Sequence, residues 1–142
     1  MKIVISKPEF NRMYEYALSQ RPNEACGLLA GTDGEDGVRR IERVYLLTNT
    51  EHTKEHFTID QKEQLSAIKD MRRDGLKPLG NWHSHPETPA RPSKEDIRLA
   101  NDGRASYLIL SLMEEGKPAL NAFHVESAEG EKTVRKEELI IE

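Results

Sequence analysis

Residues 78–86 have the sequence PLGNWHSHP, and the loop that follows is rich in proline. The first part of this stretch predicts a strand, which ends where the prolines stiffen the chain. Side chains alternate between the two faces of a strand, so His83 and His85 should point to one side and Ser84 to the other. The stretch therefore predicts a strand that presents two imidazoles together near its end.

Hydrophobic spacing predicts further strands and helices on both sides of this strand. Ser6 and Asp60 each occupy a position typical of a helix N-cap, with a glutamate three residues further on. Strands and helices are mixed without strict alternation, which predicts an α/β or α+β sandwich. The expected strands cover residues 2–5, 24–31, 38–47, 78–85, 105–113, 119–125, 133–136 and 139–141, and the expected helices cover 7–20, 60–75 and 93–101.

Length and composition narrow the class of protein. A chain of 142 residues predicts a single domain over residues 1–142. The 21 basic and 25 acidic side chains give a net charge of −4, which argues against a general nucleic-acid binder. No apolar run approaches the roughly 18 residues of a membrane helix. Polar residues also appear too early in the N-terminal segment for a signal peptide. The single cysteine, Cys26, excludes an intramolecular disulfide and predicts a reducing, cytoplasmic location.

The histidine pair and Asp96 form a candidate metal site. Two imidazoles and one carboxylate suit Zn²⁺ and leave the fourth tetrahedral position open, as a catalytic site requires. A histidine pair at this spacing is nevertheless more often an ordinary surface or core pair. Ser93 and Asp96 also have the spacing of a helix capping box, which requires no function. From the residues alone, Asp96 is therefore either a metal ligand or a helix cap.

Glu24 is the candidate general base for hydrolysis at such a site. It opens an apolar stretch, where an isolated carboxylate is costly unless it has a partner or a function. The alternative is a solvated glutamate at an exposed strand mouth. The local sequence does not decide between the two.

Taken together, Glu24, residues 83–86 (HSHP), Ser93 and Asp96 match the signature of the JAMM, or MPN-plus, metallopeptidases. That signature consists of an upstream glutamate, His-Ser/Thr-His-Pro, and then serine and aspartate at this spacing. Residues 24–31, EACGLLAG, also resemble the strand that carries the family's base. The resemblance weakens towards the end of the chain. It implies the JAMM/MPN architecture, which is similar to that of cytidine deaminases and has a mixed central sheet flanked by helices.

The resemblance also implies a role for each matching residue. His83, His85 and Asp96 would hold one zinc ion per chain, with water in the fourth position. Glu24 would act as the general acid/base that activates this water. Ser93 would donate to the oxyanion of the tetrahedral intermediate, a role worth about 3 kcal/mol in comparable sites.

The short chain resembles the compact prokaryotic branch of the family, which the resemblance links to ubiquitin-like sulfur-carrier proteins. Its implied partner is therefore a ubiquitin-like or sulfur-carrier protein with a C-terminal Gly-Gly, cut at that tail, for example to release an attached amino acid such as cysteine. One alternative is a deubiquitinase-like isopeptidase that removes a ubiquitin-like modifier from lysine. Another is a non-catalytic MPN interaction module, which typically lacks the zinc ligands. The residues leave the oligomeric state open.

Three further patterns suggest other chemistry. Residues 52–56, HTKEH, have the form of an inverted zinc-protease motif, but their surroundings lack helical periodicity and predict a polar loop. Cys26 could be a nucleophile, although a buried thiol is usually inert. A zinc nucleobase deaminase needs a Pro-Cys-x-x-Cys segment, which is absent. The roles of loop 48–57 and of the segment after Val125 stay open.

Overall fold

The computed structural model describes all 142 residues as seven strands and three helices. The predicted helix over 7–20 is confirmed at both ends, and most other bounds differ from the predicted ones by a few residues. The strands are β1 (Lys2–Ile5), β2 (Cys26–Asp33), β3 (Val38–Val44), β4 (Lys77–His85), β5 (Ser106–Ser111), β6 (Ala119–Ala128) and β7 (Glu131–Ile141), and the helices are α1 (Lys7–Gln20), α2 (Gln61–Arg73) and α3 (Lys94–Leu99).

The strands form one mixed sheet that closes into a barrel, in the order β1-β3-β2-β4-β5-β6-β7. The predicted combination of a mixed sheet with helices is confirmed, but the sheet closes on itself where an open layer of a sandwich was expected. Closure depends on β7, which is one continuous strand and not the predicted pair of short ones. Residues 131–137 of β7 pair with β6, and residues 138–141 pair with β1. The strand is continuous because its backbone finds a partner along its whole length.

Helices α1 and α2 begin directly after the residues predicted to cap them. Ser6 Oγ accepts a hydrogen bond from the backbone N–H of Glu9 at 3.3 Å, and Asp60 caps α2 in the same way. The main core cluster has 14 buried residues, most of them from α1 and the strands, with Trp82 among its largest fully buried side chains. A smaller cluster packs α2 against the other face of β2. No helix is long and apolar enough to cross a membrane.

Gly27 allows β2 to pass very close to the chain beyond β3. A Cβ at this position would lie 1.7 Å from the carbonyl oxygen of Tyr45 and 2.4 Å from Trp82 Nε1. That indole nitrogen donates to the same carbonyl at 3.0 Å, so both groups are fixed in place. Glycine is required here because any side chain would displace backbone. The contact anchors β2, directly after the segment that carries Glu24.

Candidate metal centre

The structure brings three side chains together at the end of β4. His83 and His85 lie on one face of this strand, and Asp96 lies in the first turn of α3. The Nε2 atoms of the two imidazoles are 3.1 Å apart, and Oδ2 of Asp96 lies 3.2 Å from His83 Nε2 and 3.1 Å from His85 Nε2. Atoms bound to one tetrahedral zinc ion at about 2.0–2.1 Å would be about 3.3 Å apart. The triangle therefore fits ligands that share one ion.

The sequence left open whether Asp96 is a metal ligand or a helix cap, and its carboxylate has contacts suited to both roles. Its Oδ2 accepts a hydrogen bond from the backbone N–H of Ser93 at 2.9 Å, and Ser93 Oγ accepts one from the N–H of Asp96 at 3.0 Å. This is a complete capping box. The same Oδ2 faces the two imidazoles, so the helix cap orients the carboxylate towards the histidines.

The proline loop fixes the orientation of His85. The Nδ1 atom of this ring lies 2.9 Å from the carbonyl oxygen of Pro89. A proton on Nδ1 satisfies this contact and leaves the lone pair on Nε2, as in histidines that bind metals. Ser111 and Asn121 donate to carbonyls on either side of Pro89, at 2.6 and 2.9 Å. The proline loop and the His85 ring are therefore held together. This restraint could not be predicted, because contacts to backbone carbonyl groups have no sequence motif.

Burial and mutual contacts set the charge states of the triad. Burial lowers the pKa of His83, which favours the neutral imidazole that a metal requires. Burial opposes ionisation of Asp96, but the contacts of its carboxylate with the two imidazoles and with the Ser93 N–H outweigh burial and lower its pKa. Burial also opposes protonation of His85, but the contacts with Asp96 and Pro89 outweigh it and raise its pKa. An ionised Asp96 next to two histidines is the donor set that suits a divalent cation.

Glu24 is buried beside the triad. Only 4% of the residue is exposed, so the interpretation as a solvated glutamate is wrong. Its Oε1 atom has no hydrogen-bond partner. Burial raises the pKa of Glu24 to about 8, with the charge of His85 opposing this shift and the charge of Asp96 adding to it. Cys26 pairs with His83, and Ala25 is hydrogen-bonded to Ser84, so Glu24 comes next in this pairing, at the end of β4 that carries the triad.

Loop 48–57 holds Glu24 in place. The backbone N–H of Glu24 donates to Thr53 O at 2.8 Å, and Asn49 Nδ2 donates to Glu24 O at 3.0 Å. The ring of Phe57, at the end of the loop, stacks on His83 with centroids 4.6 Å apart. The loop therefore packs against two of the site residues. Phe57 was the signal that the sequence analysis missed, because it is an aromatic residue in an otherwise polar loop.

Ser84 links β4 to the residue after Glu24. Its Oγ accepts a hydrogen bond from the N–H of Ala25 at 2.8 Å, and its own N–H donates to Ala25 O at 2.9 Å. We expect Ser84→Ala to lower the free energy of unfolding by about 1–3 kcal/mol, because the buried N–H of Ala25 loses its hydrogen-bond acceptor and stays unpaired. Urea unfolding measures this difference. Ser19→Ala, which removes an exposed hydroxyl, is the control, and equal effects of the two changes would contradict the role given to Ser84.

Ser93 lies at the exposed rim of the site. In the capping box its Oγ acts as an acceptor, which leaves the hydroxyl hydrogen free to donate. The position is therefore compatible with the donor role implied by the family.

The other candidate residues lie outside this cluster. His52 and His56 are exposed, and the triad is the one group of three such side chains whose ligand atoms converge. Cys26 is fully buried, with Sγ 3.9 Å from Leu47 O. Burial raises the pKa of this thiol to about 12, with Glu24 adding to the shift, so it is not a ready nucleophile.

The buried carboxyl of Glu24 predicts that the metal-free protein loses stability as the pH rises. The ordinary pKa of 4.5 applies to the unfolded chain and a pKa of about 8 to the fold, so between these values the folded state keeps a proton that the unfolded state has released. The free energy of unfolding then falls with rising pH, by at most about 1.4 kcal/mol per unit. Glu24→Gln cannot ionise, so in urea titrations with a chelator its stability relative to wild type should increase across this window. A difference that is constant with pH would contradict the prediction.

Comparison with known proteins places this fold and site in a family. Residues 6–125 match the model of the prokaryotic homologs of the JAB domain, and the chain belongs to this family, as the resemblance to JAMM metallopeptidases predicted. It is 34% identical over 123 residues to the CysO-cysteine peptidase of Mycobacterium tuberculosis, covering 87% of this chain and 82% of that protein. It is 37% identical over 95 residues to a probable TtuB-protein conjugate cleaving protease of Thermus thermophilus, covering 66% and 60%.

A solved structure is similar over nearly the whole chain. The solution structure of protein DSY2949 from Desulfitobacterium hafniense matches with a TM-score of 0.88 and 48% identity, covering 99% of this chain and 92% of that one. Together with the family, the two enzymes indicate that this chain is a hydrolase.

Proposed function

We propose that this protein is a zinc-dependent metallopeptidase that cuts at the C-terminal Gly-Gly tail of a ubiquitin-like or sulfur-carrier protein. The bond cut is a peptide or isopeptide bond, for example one that joins the tail to an amino acid such as cysteine. The observation that carries the proposal is the convergence of three ligand atoms, 3.1–3.2 Å apart, beside a buried carboxyl with an unpaired oxygen. A cytoplasmic location is part of the proposal and rests on the single buried cysteine.

His83, His85 and Asp96 would hold one zinc ion per chain. Two neutral imidazoles and one carboxylate leave an open position, which structural zinc sites lack. When bound, zinc would lower the pKa of a coordinated water and polarise the scissile carbonyl.

Glu24 performs the proton transfers in this mechanism. Its carboxylate takes a proton from the attacking water, whose oxygen forms a bond to the carbonyl carbon. The C–N bond then breaks, and Glu24 returns the proton to the leaving amine. A carboxyl group whose pKa is raised to about 8 can accept and return a proton near neutral pH. Ser93 donates its free hydroxyl hydrogen to the developing oxyanion.

The relatives support a protein tail as the substrate. The mycobacterial relative is named for a CysO-cysteine bond, and the Thermus relative for TtuB-protein conjugates. Strand β4 is paired with β2 on one side and with β5 on the other, so an extended tail would pass beside the metal-binding residues without pairing with β4.

A carrier with one amino acid attached to its Gly-Gly end tests the proposal. Mass spectrometry should show release of that amino acid by the zinc-loaded protein. A carrier whose two glycines are replaced by valines should be cut far more slowly, because the bulkier residues cannot approach the site as closely. Equal cleavage of the two carriers, or no cleavage of either, would overturn the proposal.

An isopeptidase is the second candidate, favoured by the name of the Thermus relative, a probable TtuB-protein conjugate cleaving protease. The same carrier attached to a lysine side chain, assayed beside the α-linked amino acid, separates the two activities. A non-catalytic interaction module that lacks zinc ligands would hold no zinc. Retention of about one zinc per chain after dialysis would therefore exclude such a module.

A further inference from the structure

An apolar cleft lies next to the metal-binding side chains, between α3 and the face of β4, β5 and β6. Its volume is about 60 Å³, and His83 and Asp96 form part of its lining. The remaining lining is mostly apolar and includes Phe57, Ile109 and Val125. The cleft is thus continuous with the candidate catalytic centre, and a substrate cut at that centre reaches it directly.

Two residues of the cleft have features that point to a ligand. Leu99, the last residue of α3, is 54% exposed although it is a large apolar side chain. Asn81 stands two positions before His83 on the same face of β4 and is an uncharged polar group in the lining. Apart from His83 and Asp96, the other polar group in the lining is the Tyr107 hydroxyl, which is already hydrogen-bonded to the backbone at Asp102. A ligand that fits this lining is therefore mostly apolar and uncharged.

We propose that this cleft binds an apolar, uncharged side chain of the amino acid that leaves the Gly-Gly tail. The inference rests on the proposed function. The two residues before the scissile bond are glycines, so they have no side chain to place in the cleft. The nearest tail residue with a side chain is about 7 Å further from the cut bond, since an extended residue spans about 3.3–3.6 Å. The residue after the bond is the one whose side chain starts next to His83 and Asp96.

The lining predicts which leaving residues are preferred. Apolar side chains such as those of methionine, leucine or cysteine lose contact with water and gain contact with Leu99, Ile109 and Val125. A charged side chain would lose its hydration without a free partner, because Asp96 is already engaged with the histidines. A single methylene in such a pocket changes specificity about 10–200-fold, so we expect kcat/KM to be at least about tenfold higher for methionine than for aspartate.

Carriers that end in Gly-Gly-Met and Gly-Gly-Asp test this selectivity. Leu99→Asp should reduce the methionine-to-aspartate ratio of kcat/KM at least about fivefold, because the cleft loses apolar contact and gains a charge. Leu65→Asp is the matched control, because Leu65 is 56% exposed on α2 and does not line the cleft. Equal rates for both carriers in wild type, or equal effects of the two substitutions, would overturn the inference while the proposed function stands.

A binding measurement separates the cleft from the chemistry. Acetyl-Gly-Gly-Met and acetyl-Gly-Gly-Asp are titrated into the Glu24→Gln protein, and NMR follows the Asn81 amide and the Ile109 and Val125 methyl groups. We expect saturable shifts of these signals with the methionine peptide and at least about tenfold weaker binding of the aspartate peptide. If the shifts appear but the wild type cuts neither carrier, the binding role of the cleft is supported and the proposed function is wrong. If neither peptide moves these signals, or both bind equally, the inference is wrong.

Discussion

Glu24→Gln should lower kcat for tail cleavage by about 10²–10⁴ and leave zinc bound, which is the largest effect expected of any change outside the ligand set. Glutamine keeps the shape of the side chain but cannot take a proton from water, and general acid–base catalysis contributes an effect of this size. The residue lies outside the triad of ligand atoms, so the zinc content should stay near one per chain. Steady-state kinetics together with elemental analysis of the same sample measure both quantities.

Glu137→Gln is the matched control for this change. Glu137 is also a buried glutamate, with 6% exposure against 4% for Glu24, but it pairs with the N-terminal ammonium group at 3.1 Å and not with the triad. This variant should therefore keep its kcat. Full activity of Glu24→Gln would remove Glu24 from the mechanism. Loss of zinc with Glu24→Gln would make the residue a ligand or a structural support instead of a base.

Asp96→Asn should remove zinc but leave α3 capped. An asparagine oxygen can still accept the hydrogen bond from the Ser93 N–H, so little stability is lost. The neutral amide no longer supplies the negative charge that lies 3.1–3.2 Å from the two imidazole nitrogens. We expect zinc affinity to fall by more than the roughly 10–100-fold that follows loss of a group which only orients a ligand. Competition with a chromophoric chelator measures this affinity, and thermal unfolding of the metal-free protein checks the cap.

Asp60→Asn makes the same chemical change at another helix cap. Asp60 Oδ2 accepts a hydrogen bond from the Glu63 N–H at 3.0 Å but lies outside the triad. Its replacement should leave the zinc affinity unchanged, as should His52→Ala at the exposed loop. If Asp96→Asn kept its zinc and lost only stability, Asp96 would be a helix cap alone. If zinc were lost with His52→Ala, the ion would bind at the other histidine motif.

The local parts of the fold could be predicted because each depends on nearby residues. Helix α1 was predicted at both ends because Ser6 caps it and its apolar residues recur at helical spacing. The expected shared face of His83 and His85 follows from the two-residue period of a strand and is found in the structure. At the end of the chain the sequence predicts two short strands, where the structure has the single strand β7. Its length depends on two partners, β6 and β1, that lie far away in sequence.

The helix caps, the histidine pair and the family can all be predicted from the sequence, because they depend on residue type and short spacing. Closure of the sheet into a barrel is seen in the folded chain alone, because it depends on the long-range pairing of β7 with β1. Only the tertiary structure showed Glu24 buried beside the triad, since its environment comes from loop 48–57 and from β4. It also showed that one oxygen of Asp96 both caps α3 and faces the histidines. Long-range contacts such as these are set by how the whole chain packs, and no local pattern encodes them.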